Sequence, residues 1–341
     1  MTETAKRRPG PRIEEVARVA GVSKSTVSRV INDEQYVSAK AREAVHAAIA
    51  ELGYAPNQAA RALAGNRANA IALVVSEPSG RVLSDPFFAS VLRGIHSELA
   101  GRHMQLLLMM SQPSDTGDLV AYLSSGHVDG ALLVSLHGED PLVPMLHEMG
   151  LPVVSGGRPL GAGATSVPFV DADNFTGGLE AARHLVSLGR KRIATVAGPK
   201  DMAVGADRLS GFKRGLSEAK ITSNLVVHAD FTPESGAEGM ERLLRKDPGL
   251  DAVFVAADIM ALGALQVLHA HGKKVPDDVA VIGFDDSVFA SSASPPLTTI
   301  RQDVEELGRT MTWRLLAELN GEDGLPPSLL LPTTLIKRAS A

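Results

Sequence analysis

Residues 13 to 32 read IEEVARVAGVSKSTVSRVIN. Ile13, Val16, Ala17 and Ala20 recur at the i, i+3, i+4, i+7 spacing of one apolar helix face. Gly21-Val22 breaks that run, and Ser23 is a suitable N-cap for a second helix from Lys24 to Ile31. In the second helix Val27, Val30 and Ile31 point inward, leaving Lys24, Ser25, Ser28 and Arg29 outside. Asn32-Asp33 ends it. Ser38 then caps a third helix whose inward residues are Val45, Ala48, Ile49 and Leu52, with Gly53 as the stop. Two short helices about a glycine turn, braced by a third, form a helix-turn-helix layout. Its second helix can enter a major groove with its N-terminal residues at base edges. Spacing alone would equally describe a structural three-helix bundle. The outer face decides for DNA, because short hydroxyls (Ser23, Ser25, Thr26, Ser28) and long cations (Lys24, Arg29) suit close approach to phosphates and bases.

Charge is divided unevenly along the chain. Residues 1 to 67 hold eleven Lys/Arg against seven Asp/Glu, whereas the remainder holds 23 against 32. A small basic head on a larger acidic body implies a polyanion partner for the head. The 341 residues suffice for two or three domains, and 44% hydrophobic content allows sizeable cores. With no cysteine, disulfides and thiolate chemistry are excluded. The basic N-terminus lacks a following apolar segment and no apolar run approaches the ~18 residues of a membrane span, so a cytoplasmic protein without membrane contact is expected.

Between head and body lies PNQAARALAGN, residues 56 to 66. Pro at the start and Gly near the end are helix punctuation. About two turns of isolated helix are nevertheless marginal in water. A helix formed only on DNA reconciles the two.

VARVAGVSKSTVSRVIN, followed by YVSAKAREAVHAAIAELGYAPNQAARALAG, closely resembles the head of the LacI/GalR family of bacterial repressors, without a gap through Gly65. The resemblance implies that Lys24, Ser25 and Arg29 read bases while Ser23, Thr26, Ser28 and Asn32 hold the DNA backbone. It also implies a hinge helix from Asn57 to Ala64 that includes Ala60, with Leu63 as a wedge into the minor groove. Such a wedge unstacks bases in exchange for a bent, better-wrapped site.

From Ala70 onward, apolar strand-like runs alternate with helical patterns: 71–75, 105–110, 130–135, 152–155, 192–197, 251–256 and 279–284. Continuous apolar strands with helical crossovers imply parallel sheets covered on both faces. The alternation is too long for one sheet and is read as restarting near Phe169 to Asp173. The expected fold is an all-α helix-turn-helix domain followed by an α/β core of two doubly wound parallel-sheet lobes. The expected boundaries are a basic, disordered extension at 1–11, the head at 12–55, the hinge at 56–67 and the core at 70–338. Within the core, lobe one is expected at about 70–168 plus 299–323 and lobe two at about 169–298 plus 325–338.

Ligands of such sheets sit beyond the carboxyl ends of the strands. That rule selects Asp85 to Phe88, Gly157-Arg158, Asp171 to Asn174, Asp258 and Asp285-Asp286. Each Asp has helix capping as an alternative role, and Phe87 and Phe88 have core packing. Convergence of carboxylates, arginines and aromatics at one sheet end favours a site for a sugar, whose hydroxyls want charged partners. The family resemblance continues through VDADNFTGGLEAARHLVSLGRKRIA, DRLSGF, DFTPESG, MALGAL, VIGFDDS and PPLTTIRQD, which look like a periplasmic-binding-protein-like core. It implies that Phe88 stacks on an effector, that Arg158, Arg208 and Asp285 bind its polar groups, and that Phe231 supplies a cleft aromatic. The family's usual Asn before the MALGAL-like helix is Ala257 here, which removes one hydrogen-bonding pair to a ligand hydroxyl.

No catalytic constellation emerges. GAGATS (161–166) ends on Ser166 where a dinucleotide loop needs glycine, and GxxxxGK[ST], HExxH and GxSxG are missing. His269 and His271 fall on different helix faces. Neither an enzyme, a metal site nor another cofactor is expected. The reading is a repressor with a sugar-like effector, acting as a homodimer on a palindromic operator. A dimer rather than a higher oligomer is expected because no heptad tail follows the last strand-like run. A solute-binding protein without DNA function is the alternative, against which the basic head argues.

Overall fold

The computed structural model describes residues 11–31, 36–54, 67–111, 115–161, 167–222 and 224–341. The chain divides into two compact units, Met1–Ala68 and Asn69–Ala341. The expected extension at 1–11 (apart from Pro11), Asn32 and the hinge residues Asn57, Ala60 and Leu63 lie outside the described residues.

In the first unit, α1 (Ile13–Ala20) ends at Gly21 in the left-handed conformation, φ 65°, which lets the chain turn sharply into α2 (Lys24–Ile31). The Thr26 backbone N–H donates to Ser23 Oγ at 3.1 Å, so Ser23 caps α2 as its sequence position suggests. α3 (Ala39–Leu52) begins on Ser38, whose side chain accepts from the Ala41 N–H, and ends on left-handed Gly53. Val16, Ala17, Val27, Val30, Val45 and Ala48 are buried together, with Ile13, Ile31, Ile49 and Leu52 around them. The apolar periodicity thus becomes a three-helix core that leaves Lys24, Ser25 and Arg29 on the outside.

In the second unit, β1 (Ala70–Val75), β2 (Gln105–Met110), β3 (Gly130–Val134), β4 (Val153–Gly156), β5 (Phe169–Ala172) and β11 (Ser328–Leu331) form one sheet, ordered β11-β5-β4-β3-β1-β2. All of its pairings are parallel. A second sheet contains β6 (Ile193–Ala197), β7 (Val226–His228), β8 (Ala252–Val255), β9 (Ala280–Asp285), β10 (Thr298–Arg301) and β12 (Thr334–Ile336), ordered β12-β10-β9-β8-β6-β7. Only the β10–β12 pairing is antiparallel.

The expected lobe boundaries need correction. β5 extends the first sheet rather than starting the second, and β11 joins it there. β10 belongs to the second sheet. Alternation of strand and helix reveals that strands exist but not which sheet they join. The chain crosses between the lobes after β5, β10 and β11, so every boundary drawn from alternation alone slips by a strand.

Helices cover both sheets and aim the loops of the site: α4 (Ser79–Ser84), α5 (Pro86–Leu99), α6 (Thr116–Tyr122) and α7 (Leu142–Glu148) in lobe one, then α8 (Asn174–Ser187), α9 (Ala203–Glu218), α10 (Pro233–Lys246), α11 (Asp258–Ala270) and α12 (Val288–Ser292) in lobe two. α13 (Val304–Leu319) returns to pack on α5 and the first sheet. α8 and α9 cross so closely that a Cβ on Gly178 would collide with the Arg208 carbonyl oxygen, and one on Gly211 with that of Phe175. Two glycines therefore set where Arg208 stands.

Candidate functional site

A cavity opens between the carboxyl ends of the two sheets, the place where doubly wound folds bind ligands. Of the six effector candidates, Phe88, Arg158, Arg208, Phe231 and Asp285 line it. Asp258 does not. It is fully buried, its Oδ1 accepting from Thr299 Oγ1 at 2.6 Å and its Oδ2 from the Ser287 N–H at 2.8 Å. Both oxygens are thereby used within the protein, and Asp258 braces the loop behind Asp285. It is the first residue of α11 rather than its cap.

Arg208 organises the cavity floor. Its Nε donates to Asn174 Oδ1 at 2.9 Å and its Nη1 to the Ala256 carbonyl at 2.6 Å. Nη1 also stands 3.6 Å from Asp285 Oδ1, and Cζ lies 3.6 Å from the Phe284 ring centroid. Asn174 in turn donates to Asp171 Oδ1 at 2.8 Å, while Gln302 Nε2 donates to Asp285 Oδ1 at 2.6 Å. A polar chain thus runs from the end of β5 through α8 and α9 to the end of β9 and the crossover at Gln302. A buried guanidinium of this kind is tolerable only when its donors are occupied and carboxylates stand near.

Burial raises the carboxylates in and behind the cavity above their ordinary range. Burial pushes Asp171 up to about 6, against hydrogen bonds from the Arg158 and Ala172 N–H groups. Burial also pushes Asp285 up to about 6, with the Arg208 charge opposing. Asp258 is raised well above the usual carboxylate range by burial and then by the neighbouring Asp285. Burial raises Asp85 too, although it caps α5 by accepting from the Phe87 N–H at 3.0 Å.

Phe87 and Phe88 meet edge to face, ring centroids 5.3 Å apart. Phe88 is at once cavity wall and part of the lobe-one core, so the packing and the site roles coexist; half-buried Phe87 also faces the cavity. Phe231 lies under Arg81, whose Cζ is 5.5 Å from its ring centroid. Three cavity-lining residues that are not glycine hold positive φ: Ser135 (60°), Phe231 (64°) and Asp285 (116°). Such backbone costs of order 1–3 kcal/mol each and clusters at ligand sites. Ala257 lines the wall where the family resemblance expects Asn.

Arg81, Ser135 and Gln302 were not singled out from sequence. Arg81 sits on α4, a short helix inside a loop that the strand-helix alternation passes over. Gln302 lies on a crossover, whose membership in the site depends on both lobes.

In the head, Ser23 Oγ lies 2.8 Å from both Ser25 Oγ and Thr26 Oγ1, and Lys24 is ion-paired with Glu14. Lys24, Ser25 and Arg29 are exposed, and Thr26 and Ser28 partly so, all on α2, with Lys24, Ser25 and Thr26 in its first turn and Arg29 in its last. Among the described residues no helix is long and apolar enough to cross a membrane.

A helix-turn-helix head and a two-lobe α/β core with a polar cleft define a ligand-responsive DNA-binding regulator. Residues 12–57 match the model of bacterial regulatory proteins of the lacI family, and residues 182–341 match the periplasmic-binding-protein-like domain. The chain is 46% identical over 337 residues to the HTH-type transcriptional regulator CelR of Thermobifida fusca, covering 98% of this chain and 99% of that one. It is 35% identical over 337 residues to the HTH-type transcriptional repressor PurR of Escherichia coli O139:H28, covering 96% of each. Among solved structures it resembles a CelR–cellobiose complex, with TM-score 0.78, 45% identity and coverage of 97% and 100%. It also resembles the lac repressor dimer bound to operator and the anti-inducer ONPF, with TM-score 0.84, 30% identity and coverage of 97% and 99%. This chain belongs to the LacI family and is a DNA-binding transcriptional regulator, whose relatives are regulators rather than enzymes.

Proposed function

We propose that the chain is a repressor that binds a palindromic operator as a homodimer and is released by a neutral sugar, best represented by a cellobiose-like disaccharide. The observation that carries this reading is the cleft itself, where Arg158, Asp171, Arg208, Asp285 and Gln302 converge with Phe87, Phe88 and Phe231. Hydrogen-bonding groups of both signs beside aromatic faces suit a ring with many hydroxyls and a C–H side. Each cavity arginine already has a carboxylate near it: Arg81 with Glu77 at 2.6 Å, Arg158 with Asp207 at 2.9 Å, Arg208 with Asp285. Asp85 and Asp171 add further negative charge, so an anionic ligand would meet a surplus of carboxylates. The CelR–cellobiose complex supports a disaccharide of this class. Ala257, with no hydrogen-bonding side chain, favours a ligand lacking a hydroxyl at that wall.

In this reading Phe88, Arg158, Arg208, Phe231 and Asp285 touch the effector, joined by Asp171 and Gln302. Ser23, Lys24, Ser25, Thr26, Ser28 and Arg29 contact DNA, with Asn32 and the hinge residues Asn57, Ala60 and Leu63 as further contacts. The head, hinge and core comprise 12–55, 56–67 and 70–338. A second copy would dock on lobe one, where edge strand β2 exposes Leu108 and Met110 and α6 exposes Tyr122. The role is regulatory rather than catalytic, and the location cytoplasmic. Titrating the operator complex with cellobiose tests the proposal: release supports it, and retention across a panel of neutral sugars sinks the effector assignment while leaving DNA binding intact.

A further inference from the structure

Outside the cavity network, the two lobes are joined through His137, in the loop after β3. Its Nε2 lies 3.0 Å from Glu77 Oε1 of lobe one, and its Nδ1 lies 2.9 Å from Asp201 Oδ2 of lobe two. Beside it, the Gly138 N–H donates to the Asp201 carbonyl at 2.6 Å. We infer that His137 is a positioning residue for the two lobes: its imidazolium form ties Asp201 to the cavity-wall residues gathered by Glu77 and so holds the lobes together.

The argument rests on proton counting. A neutral imidazole carries one N–H and can donate to one partner, whereas imidazolium donates from both nitrogens. With a carboxylate at each nitrogen, only the protonated ring satisfies both contacts. When the proton leaves, one contact becomes a lone pair facing an acceptor. Glu77 holds the ring the more firmly. Its side chain is 4% exposed and also accepts from Arg81 Nη1 at 2.6 Å and Ser135 Oγ at 2.7 Å, both cavity-lining residues. The Asp201 side chain is 55% exposed and readily hydrated. The contact given up on deprotonation is therefore the one between lobes.

The charged surroundings act in the same direction. Glu77 and Asp201 face the ring directly, Arg81 stands behind Glu77 with Asp85 beyond it, and Asp140 accepts from Ser76 Oγ next to Glu77. Hydrogen bonding to Glu77 first, and then to Asp201, raises the imidazole above its ordinary value against the opposing effect of burial. Burial alone would raise Glu77, but its bonds from His137, Arg81 and Ser135 outweigh that and leave it lowered, so it stays ionised. The tie is complete at mildly acidic pH and is lost as pH rises through the raised histidine value.

The test needs no effector, so it stands apart from the sugar assignment. The chain has no cysteine, and exposed Ser125 and Ser217 lie on opposite lobes, so S125C/S217C accepts a pair of spin labels. With the labelled chain diluted in excess unlabelled chain, so that only distances within one protomer are read, the expected result is one narrow inter-label distance at pH 6 and a second population at pH 8.5, with the same distribution at both pH values in the H137Q background. Asp171 and Asp285 titrate in both backgrounds and drop out of the comparison. If H137Q does not fold, D201N replaces it, with the histidine titration followed by NMR. A midpoint above the ordinary histidine value that falls back in D201N supports the tie. An identical pH shift in wild type and variant, or a midpoint unmoved by D201N, overturns it.

Discussion

Arg208 Nη1 and Asp285 Oδ1 stand 3.6 Å apart at the floor of the cleft, both side chains largely out of contact with bulk water. A pair held at that distance leaves the carboxylate free to serve a ligand hydroxyl while the guanidinium stays compensated. Removing the Arg208 charge should cost far more than losing an exposed salt bridge, because Asp285 and Asp171 would remain buried without their cation.

Asp285→Asn keeps the shape and removes the charge. Calorimetric titration should give at least a tenfold loss in effector affinity, equal to about 1.4 kcal/mol. Operator affinity without effector should remain that of wild type. Unchanged effector affinity would show that the ligand does not use this carboxylate.

Asp171 and Asp285 are both raised to about 6. Their folded values exceed those of the unfolded chain, so the folded core binds more protons between pH 4 and 6. Their contribution to stability therefore falls as pH rises through that window and levels off above it. Melting temperatures measured from pH 4.5 to 7 should show this slope, and D285N should flatten part of it. Effector affinity runs the other way, weakening below about pH 6 as carboxylate acceptors are lost.

Gly178→Ala would place a methyl group against the Arg208 carbonyl oxygen at the α8–α9 crossing. Overpacking of this kind typically costs ~1–3 kcal/mol. Denaturant unfolding should read that loss, with a weakened effector response because Arg208 is displaced. Wild-type stability in G178A would show that the helices can separate freely.

Lys24 must give up Glu14 to reach DNA. An exposed pair of this type contributes little, so the exchange is cheap. Lys24→Ala should relax base preference at one half-site position and weaken specific binding more than nonspecific binding. If Lys24 touches only phosphate, the losses will be uniform across sequences and the salt slope will fall by about 1.

The head was legible almost residue by residue, since Ser23, Ser38, Gly21 and Gly53 carry local signals that no distant contact overrides. The strands of the core were legible as apolar runs, and the rule of carboxyl ends led to Phe88, Arg158 and Asp285, whereas Arg208 and Phe231 came only from the family resemblance. The misassigned residues depended on partners far away in the chain. Asp258 looks like a ligand carboxylate until Thr299 and Ser287 occupy its oxygens. β5, β10 and β11 choose their sheets through crossovers that periodicity does not record. Glu77, His137 and Asp201 carry no local pattern and meet only when the lobes do.

The most direct measurement is fluorescence anisotropy of labelled operator DNA bound to the full chain, titrated with cellobiose at pH 7. The account predicts specific binding that cellobiose reverses in a saturable way, with the reversal abolished in D285N. Operator binding that no neutral disaccharide changes, or that cellobiose changes equally in D285N, would contradict it.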